Sequence, residues 1–159
     1  MGMSTKVLAL CRANGLRIAT AESCTGGMVS AALTEVAGSS DVFDRGFVTY
    51  SNLAKQQMLG VGAQTLKEFG AVSQDVAKEM ALGALMNSNA NLSVSITGIA
   101  GPGPSEFKPE GRVCFAVALN GQIADMNTVE FGALGRANVR IAACDYALNL
   151  LKQAASLAV

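Results

Sequence analysis

Large apolar residues recur along the chain with two spacings, and those spacings divide it into eleven elements. Residues 3–13 place Val7, Leu8, Leu10 and Cys11 on one helical side, and Asn14-Gly15 ends the pattern. Leu16-Arg17-Ile18-Ala19 is β-prone and runs into Ala21-Glu22-Ser23-Cys24-Thr25-Gly26-Gly27. A small-residue helix leaves that turn and continues to about Val36, with Ala37-Gly38-Ser39-Ser40 as its stop. Phe43 to Tyr50 reads as a second strand, rich in aromatic and β-branched residues. Ser51 is placed to cap a short helix containing Leu53, Gln56 and Gln57, which Gly60-Val61-Gly62 breaks. Thr65 to Gly70 gives one or two helical turns, and Ser73 caps a longer helix with Val76, Met80, Gly83, Ala84 and Met86 on its apolar face.

In the second half, Leu92-Ser93-Val94-Ser95-Ile96-Thr97 alternates large apolar with small polar residues, a strand pattern that runs into the loop Gly98 to Pro104. Val113 to Leu119 is continuously apolar, as a central strand is. Asn120-Gly121 is a hairpin turn, and Ile123 to Phe131 returns beside it. From Leu134 onward Val139, Ala142, Ala143, Tyr146, Leu150 and Leu151 recur at helical spacing. Early βα alternation followed by a hairpin predicts an α/β fold, a three-layer α/β/α arrangement around a mixed, partly antiparallel sheet. The 159 residues suit one domain spanning 1–159, with no repeat or linker.

Composition narrows the chemistry. Lys plus Arg and Asp plus Glu both number 12, so no basic field exists for nucleic-acid binding, while a small phosphorylated ligand remains open. No apolar run has the length of a membrane span and no signal-peptide core is evident, so a cytoplasmic protein with reduced thiols and no membrane partner is expected. Half the residues are hydrophobic, which together with the long last helix leads to the expectation of a homo-oligomer. There is no histidine, and none of the four cysteines is paired in a C-x-x-C spacing, so no metal site is expected. The missing histidine also excludes Ser-His and Cys-His pairs and leaves Lys, Tyr, Glu and Asp for acid–base work.

Three places can carry such work. Ser23 stands where a strand turns into a helix, a point at which backbone N–H groups converge; it is a candidate nucleophile, and it or Thr25 is equally suited to be only the helix N-cap. Cys24 is an alternative nucleophile or a packing residue. Tyr50 and Lys55 lie close to a second strand end, where a lysine depressed by burial serves as a base and a solvated lysine is the commoner case. Thr97-Gly98-Ile99-Ala100-Gly101 is a third strand end whose glycines admit a ligand, although it is neither a Walker loop nor a dinucleotide fingerprint. Lys108, Arg112, Arg136 and Arg140 are possible phosphate or carboxylate contacts or simple surface charges.

Taken in order, Thr20 to Gly27, Gly46 to Lys55, Gly70 to Ser73, Ser95 to Pro102, Lys108-Pro109 and Arg136 to Leu148 closely resemble the C-terminal domain family of the competence/damage-inducible protein CinA. The resemblance covers nearly the whole chain. It implies a metal-free, cofactor-free amidohydrolase of pyridine-nucleotide salvage, like the family's nicotinamide mononucleotide deamidases, converting that nucleotide and water to nicotinate mononucleotide and ammonia. It implies Ser23 as nucleophile with Tyr50 and Lys55 as partners, leaving open which of the two is the immediate base. Thr97, Gly98 and Gly101 would line the nucleotide pocket, backbone N–H groups of Thr25, Gly26 and Gly27 would hold the oxyanion, and Arg140 would contact substrate. Two stretches depart from the family pattern. Residues 103–112 carry Glu110 and Arg112 where Val and Thr are usual, and Leu134-Gly135-Arg136 replaces Gly-Asp-Arg. A non-catalytic nucleotide-binding or regulatory module, or an amidase for another small pyridine amide, is the competing expectation. The joint presence of Ser23, Tyr50 and Lys55 favours the enzyme.

Overall fold

The computed structural model describes residues 1–158. Among them the chain runs α1 (Met3–Ala13), β1 (Ile18–Glu22), α2 (Met28–Thr34), β2 (Phe43–Val48), α3 (Asn52–Leu59), α4 (Ala63–Phe69), α5 (Gln74–Met86), β3 (Leu92–Gly98), β4 (Arg112–Leu119), β5 (Gln122–Glu130) and α6 (Arg136–Leu157). All eleven anticipated elements form. A 3₁₀ turn at Ser39–Asp41 is additional. Asn120 and Gly121 both take positive φ, 52° and 84°, the type I′ geometry that an Asn-Gly hairpin turn favours.

The five strands lie in the order β2-β1-β3-β4-β5. β1 is parallel to both β2 and β3, and β4 and β5 continue antiparallel. The sheet is therefore mixed, with helices on both faces, as the alternation predicted. One face packs on α1, α2 and α6 through Val7, Leu8, Val29, Leu33, Ile18, Val94, Ile96, Phe115 and Leu151. The other packs on α3, α4 and α5 through Ala19, Ala21, Leu59, Leu66, Val76 and Met80. Each fully buried large side chain contributes roughly 1.5–3 kcal/mol. Phe115 meets the rings of Phe131 and Tyr146, at centroid distances of 6.4 and 4.7 Å, and so fastens α6 to the sheet.

The small polar residues of β3 have a packing purpose. Ser93 Oγ donates to Ala81 O at 2.8 Å and Ser95 Oγ to Ala77 O at 2.6 Å, both fully buried. Short side chains let α5 approach the sheet, and their hydroxyls find acceptors on the helix instead of remaining unpaired. Gly83 does the same for α3: a Cβ there would run into the Leu59 carbonyl. That contact fixes the end of the helix carrying Lys55.

The topology creates a crevice. β1 leads into α2 on one face, and its parallel neighbour β2 leads into α3 on the other. Connections that leave toward opposite faces open a gap at the carboxyl ends of the strands, where α/β proteins bind ligands. β3 ends at the same edge, so the segments after residues 22, 48 and 98 converge there.

Candidate active site

The turn after β1 is organised by Glu22. This residue ends the strand on the side facing α2 and is completely buried. Its Oε1 accepts from Thr25 Oγ1 (2.7 Å), Gly27 N (3.2 Å) and Val29 N (3.0 Å), and its Oε2 accepts from Ser30 N (3.0 Å) and Ser30 Oγ (2.7 Å). Five donors on one carboxyl suit its acceptor-only form. They include three otherwise unpaired amides at the start of α2, where negative charge is favourable. The N-cap position of α2 is Gly27, which has no side chain to cap with, so neither Ser23 nor Thr25 performs that task. A carboxylate reaching forward from the strand replaces them, and the Ser23 hydroxyl is left for other work.

Ser23 lies next to Lys55. Lys55 Nζ is 3.0 Å from Ser23 Oγ, 2.9 Å from Thr49 O and 3.4 Å from Tyr50 O. The lysine is 1% exposed and the serine 8%. No acidic side chain among the described residues forms an ion pair with Lys55. Burial lowers its pKa from the usual lysine value, against a weaker opposing pull from Cys24 and Glu106. In the neutral form, two N–H groups satisfy the Thr49 and Tyr50 carbonyls and the lone pair faces the serine hydroxyl. The local sequence produces this arrangement: Ser51 Oγ accepts from Ala54 N at 3.0 Å and starts α3, which turns Lys55 back under the end of β2.

Tyr50 stands two residues beyond β2, which stops at Val48 because Ser51 begins the next helix. Its side chain reaches the cavity, and its Oη accepts from Arg136 Nη2 at 2.6 Å. Arg136 also donates from Nη1 to Gly101 O at 2.6 Å. A guanidinium only donates, so the tyrosine's own O–H remains available. Among the described residues Tyr50 Oη makes no hydrogen bond to Ser23 or Lys55.

These groups border a cavity of about 270 Å³. Ser23, Cys24 and Lys55 form its floor, Thr97 to Pro104 one wall, Ala71 and Val72 another, and Tyr50, Asn52, Glu106 and Arg136 its mouth. Thr97, Gly98 and Gly101 are thus brought together with Ser23, Tyr50 and Lys55. The Thr97 hydroxyl itself is committed to Ala71 O at 2.8 Å. At Gly98 a Cβ would meet the Val113 side chain at 2.7 Å, which explains the glycine by packing.

Thr25, Gly26, Gly27 and Arg140 do not border the cavity. The Gly26 and Gly27 amides donate to Ser23 O and Glu22 Oε1. Arg140 lies across the back of the turn, donating from Nε to Cys24 O at 3.0 Å and from Nη2 to Thr25 O at 3.5 Å. Lys108 donates to Phe69 O and Val72 O, and Arg112 pairs with Glu130. Of the four cations considered from sequence, Arg136 is the one at the cavity. Sequence reasoning also passed over Glu22 as an organiser, although an acidic residue between an apolar strand and a Gly-Gly helix start was a usable signal. Cys24 is buried, and burial pushes its thiol up to about 12, so it is a packing residue with an inert sulfur. Among the described residues no group of three His, Cys, Asp or Glu side chains is placed to hold a metal ion, and no helix is long and apolar enough to cross a membrane.

Fold and site together define a three-layer α/β protein with a buried serine–lysine pair at the carboxyl edge of parallel strands, an arrangement suited to acyl transfer without histidine or metal. The sequence pattern of the CinA C-terminal domain matches residues 2–155, and the chain belongs to that family. It is 56% identical over 119 residues to the nicotinamide-nucleotide amidohydrolase PncC of Escherichia coli K12, spanning 74% of this chain and 72% of that protein. A competence-damage inducible relative from Caldicellulosiruptor saccharolyticus is 50% identical over 141 residues; the match spans 87% of this chain but only 34% of that longer protein. Among solved structures, the competence/damage inducible protein CihA from Agrobacterium tumefaciens superposes with a TM-score of 0.91 at 49% identity, covering 97% of this chain and 93% of that one. A CinA superfamily protein from Klebsiella pneumoniae superposes at 0.93 with 36% identity, covering 97% and 96%.

Proposed function

We propose that this chain is a nicotinamide-nucleotide amidohydrolase that converts nicotinamide mononucleotide and water to nicotinate mononucleotide and ammonia. The observation that carries the chemistry is the 3.0 Å approach of a buried, carboxylate-free lysine to a serine hydroxyl at the floor of a cavity. The substrate comes from the similarity to PncC.

In this reading Lys55, neutral by virtue of its burial, takes the Ser23 proton as Oγ attacks the carboxamide carbon. Contact geometry favours lysine over tyrosine as the immediate base, since the Tyr50 hydroxyl is engaged with Arg136. Amides with no protein partner that border the cavity are the better oxyanion donors. Among the described residues that of Cys24, directly after the nucleophile, qualifies, whereas those of Gly26 and Gly27 are occupied. The lysinium then protonates the departing nitrogen, and ammonia leaves. Lys55, neutral again, activates the water that cleaves the acyl-serine. Tyr50 and Arg136 hold the substrate at the mouth. The substrate is a small nucleotide, and the proposed setting is cytoplasmic.

Ammonia release is measured from nicotinamide mononucleotide, nicotinamide and NAD in parallel. Release from the mononucleotide, and little from the others, is expected. Tight mononucleotide binding with no release from any of them would support a binding module instead.

A further inference from the structure

The segment that departs from the family pattern carries a carboxylate, Glu110, where an apolar residue is usual. That carboxylate joins two distant parts of the chain. Its Oε1 accepts from Gly103 N at 2.7 Å and its Oε2 from Gly135 N at 2.9 Å. Gly103 is in the cavity wall; Gly135 is the N-cap residue of α6 and has no side chain of its own to close the helix. The carboxylate lies directly against the wall: at Gly101, whose φ is 91°, a Cβ would stand 2.6 Å from Glu110 Cδ. The backbone beside Glu110 is firmly held, because Gly111 N donates to Ile99 O at 2.8 Å and Ile99 N to Arg112 O at 2.9 Å. Beyond Gly135 comes Arg136, which grips Gly101 O and Tyr50 Oη.

We infer that Glu110 is a positioning residue for substrate binding: by tying Gly103 to Gly135 it sets the cavity wall against the first turn of α6 and thereby holds Arg136 and Tyr50 at the cavity mouth. Both bonds are charge-assisted, and the two amides hold the carboxyl below the usual carboxylate range. Glu110 touches neither Ser23 nor Lys55, so its loss loosens the wall without altering the reacting pair.

Two variants test this, Glu110→Gln and Glu110→Ala. The glutamine keeps one acceptor and turns an NH₂ toward the second amide, so it cannot bridge both. With nicotinamide mononucleotide, KM should rise about tenfold in each variant while kcat stays within about twofold, the effect of losing one charge-assisted anchor used mainly in binding. Hydrogen exchange at the Gly103 and Gly135 amides should accelerate in both variants, with exchange in β1 and β3 unchanged. The kinetic arm rests on the reading of the site as a nucleotide amidohydrolase; the exchange arm does not, so wild-type inactivity would refute that reading while exchange still judged the brace. Unchanged exchange at both glycines overturns the inference. So does faster exchange with an unchanged KM, or a fall in kcat as large as the fall in kcat/KM.

Discussion

Replacing Glu22 by Gln should destabilise the protein far more than its near-identical shape suggests. The glutamine keeps an oxygen for the cluster at Thr25, Gly27 and Val29, or for the pair at Ser30, but not for both. If Oε1 stays oxygen, the new NH₂ faces the Ser30 amide, and a buried donor is left opposite a donor. An unsatisfied buried amide costs about 1–3 kcal/mol. The surviving bonds also lose charge assistance, which roughly halves their strength. Together the loss is about 3 kcal/mol, a large part of the 5–15 kcal/mol that holds a typical domain folded. For a chain of this length that corresponds to a fall in Tm of about 6–12 °C. Thermal unfolding followed by circular dichroism reads it, and near-ultraviolet spectra confirm that the native state is otherwise intact. A fall below about 2 °C would refute the idea that Glu22 organises the turn as an acceptor-only carboxylate.

Further outcomes follow from the buried groups. Lys55→Met should remove amide hydrolysis, and the wild-type kcat/KM should rise with pH through a midpoint below the ordinary lysine range, because the neutral amine is the active form; a midpoint at the free-lysine value would contradict this. The same depressed pKa means that the unfolded chain binds the lysine proton more readily than the folded one, so the wild type should gain stability relative to Lys55→Met as pH rises from the depressed value toward the free-lysine value. Equal pH dependence in urea unfolding of the two proteins would refute it. The cysteines are all buried, and burial pushes Cys11 and Cys24 to about 12 and Cys144 to about 11, so iodoacetamide at pH 8 should leave the native protein unlabelled and modify it only after denaturation; rapid native alkylation, read by intact mass, would contradict the packing role given to Cys24.

Local signals in the sequence carried most of the fold. Ser51 and Ser73 cap the helices that follow them, Asn120-Gly121 closes a hairpin, and the large–small alternation of β3 marks which side chains meet α5. These are decided within a few residues, where propensity and periodicity act. The strand order was not legible, because the insertion of β1 between β2 and β3 depends on how α2 and α3 pack on opposite faces. The site divides the same way. Ser23, Tyr50 and Lys55 were recognisable from the family pattern, and their common location follows from three parallel strands ending at one edge. Glu22 was hidden because its partners are backbone amides, which carry no residue identity. The choice among Lys108, Arg112, Arg136 and Arg140 was equally hidden: Lys108 lies in the loop between β3 and β4, Arg112 begins β4 and the other two are in α6, and only tertiary contacts separate the one at the cavity from three that hold carbonyls or a carboxylate.

The central claim, that Ser23 is the group attacking a nucleotide carboxamide, meets its most direct test in ammonia release from nicotinamide mononucleotide by Ser23→Ala. The variant removes one hydroxyl that makes no structural hydrogen bond other than that to Lys55 among the described residues, so circular dichroism should match the wild type. The account predicts a loss of at least about 10⁴-fold in kcat, the scale of losing a nucleophile. Release by the folded variant at a rate near that of the wild type would contradict it.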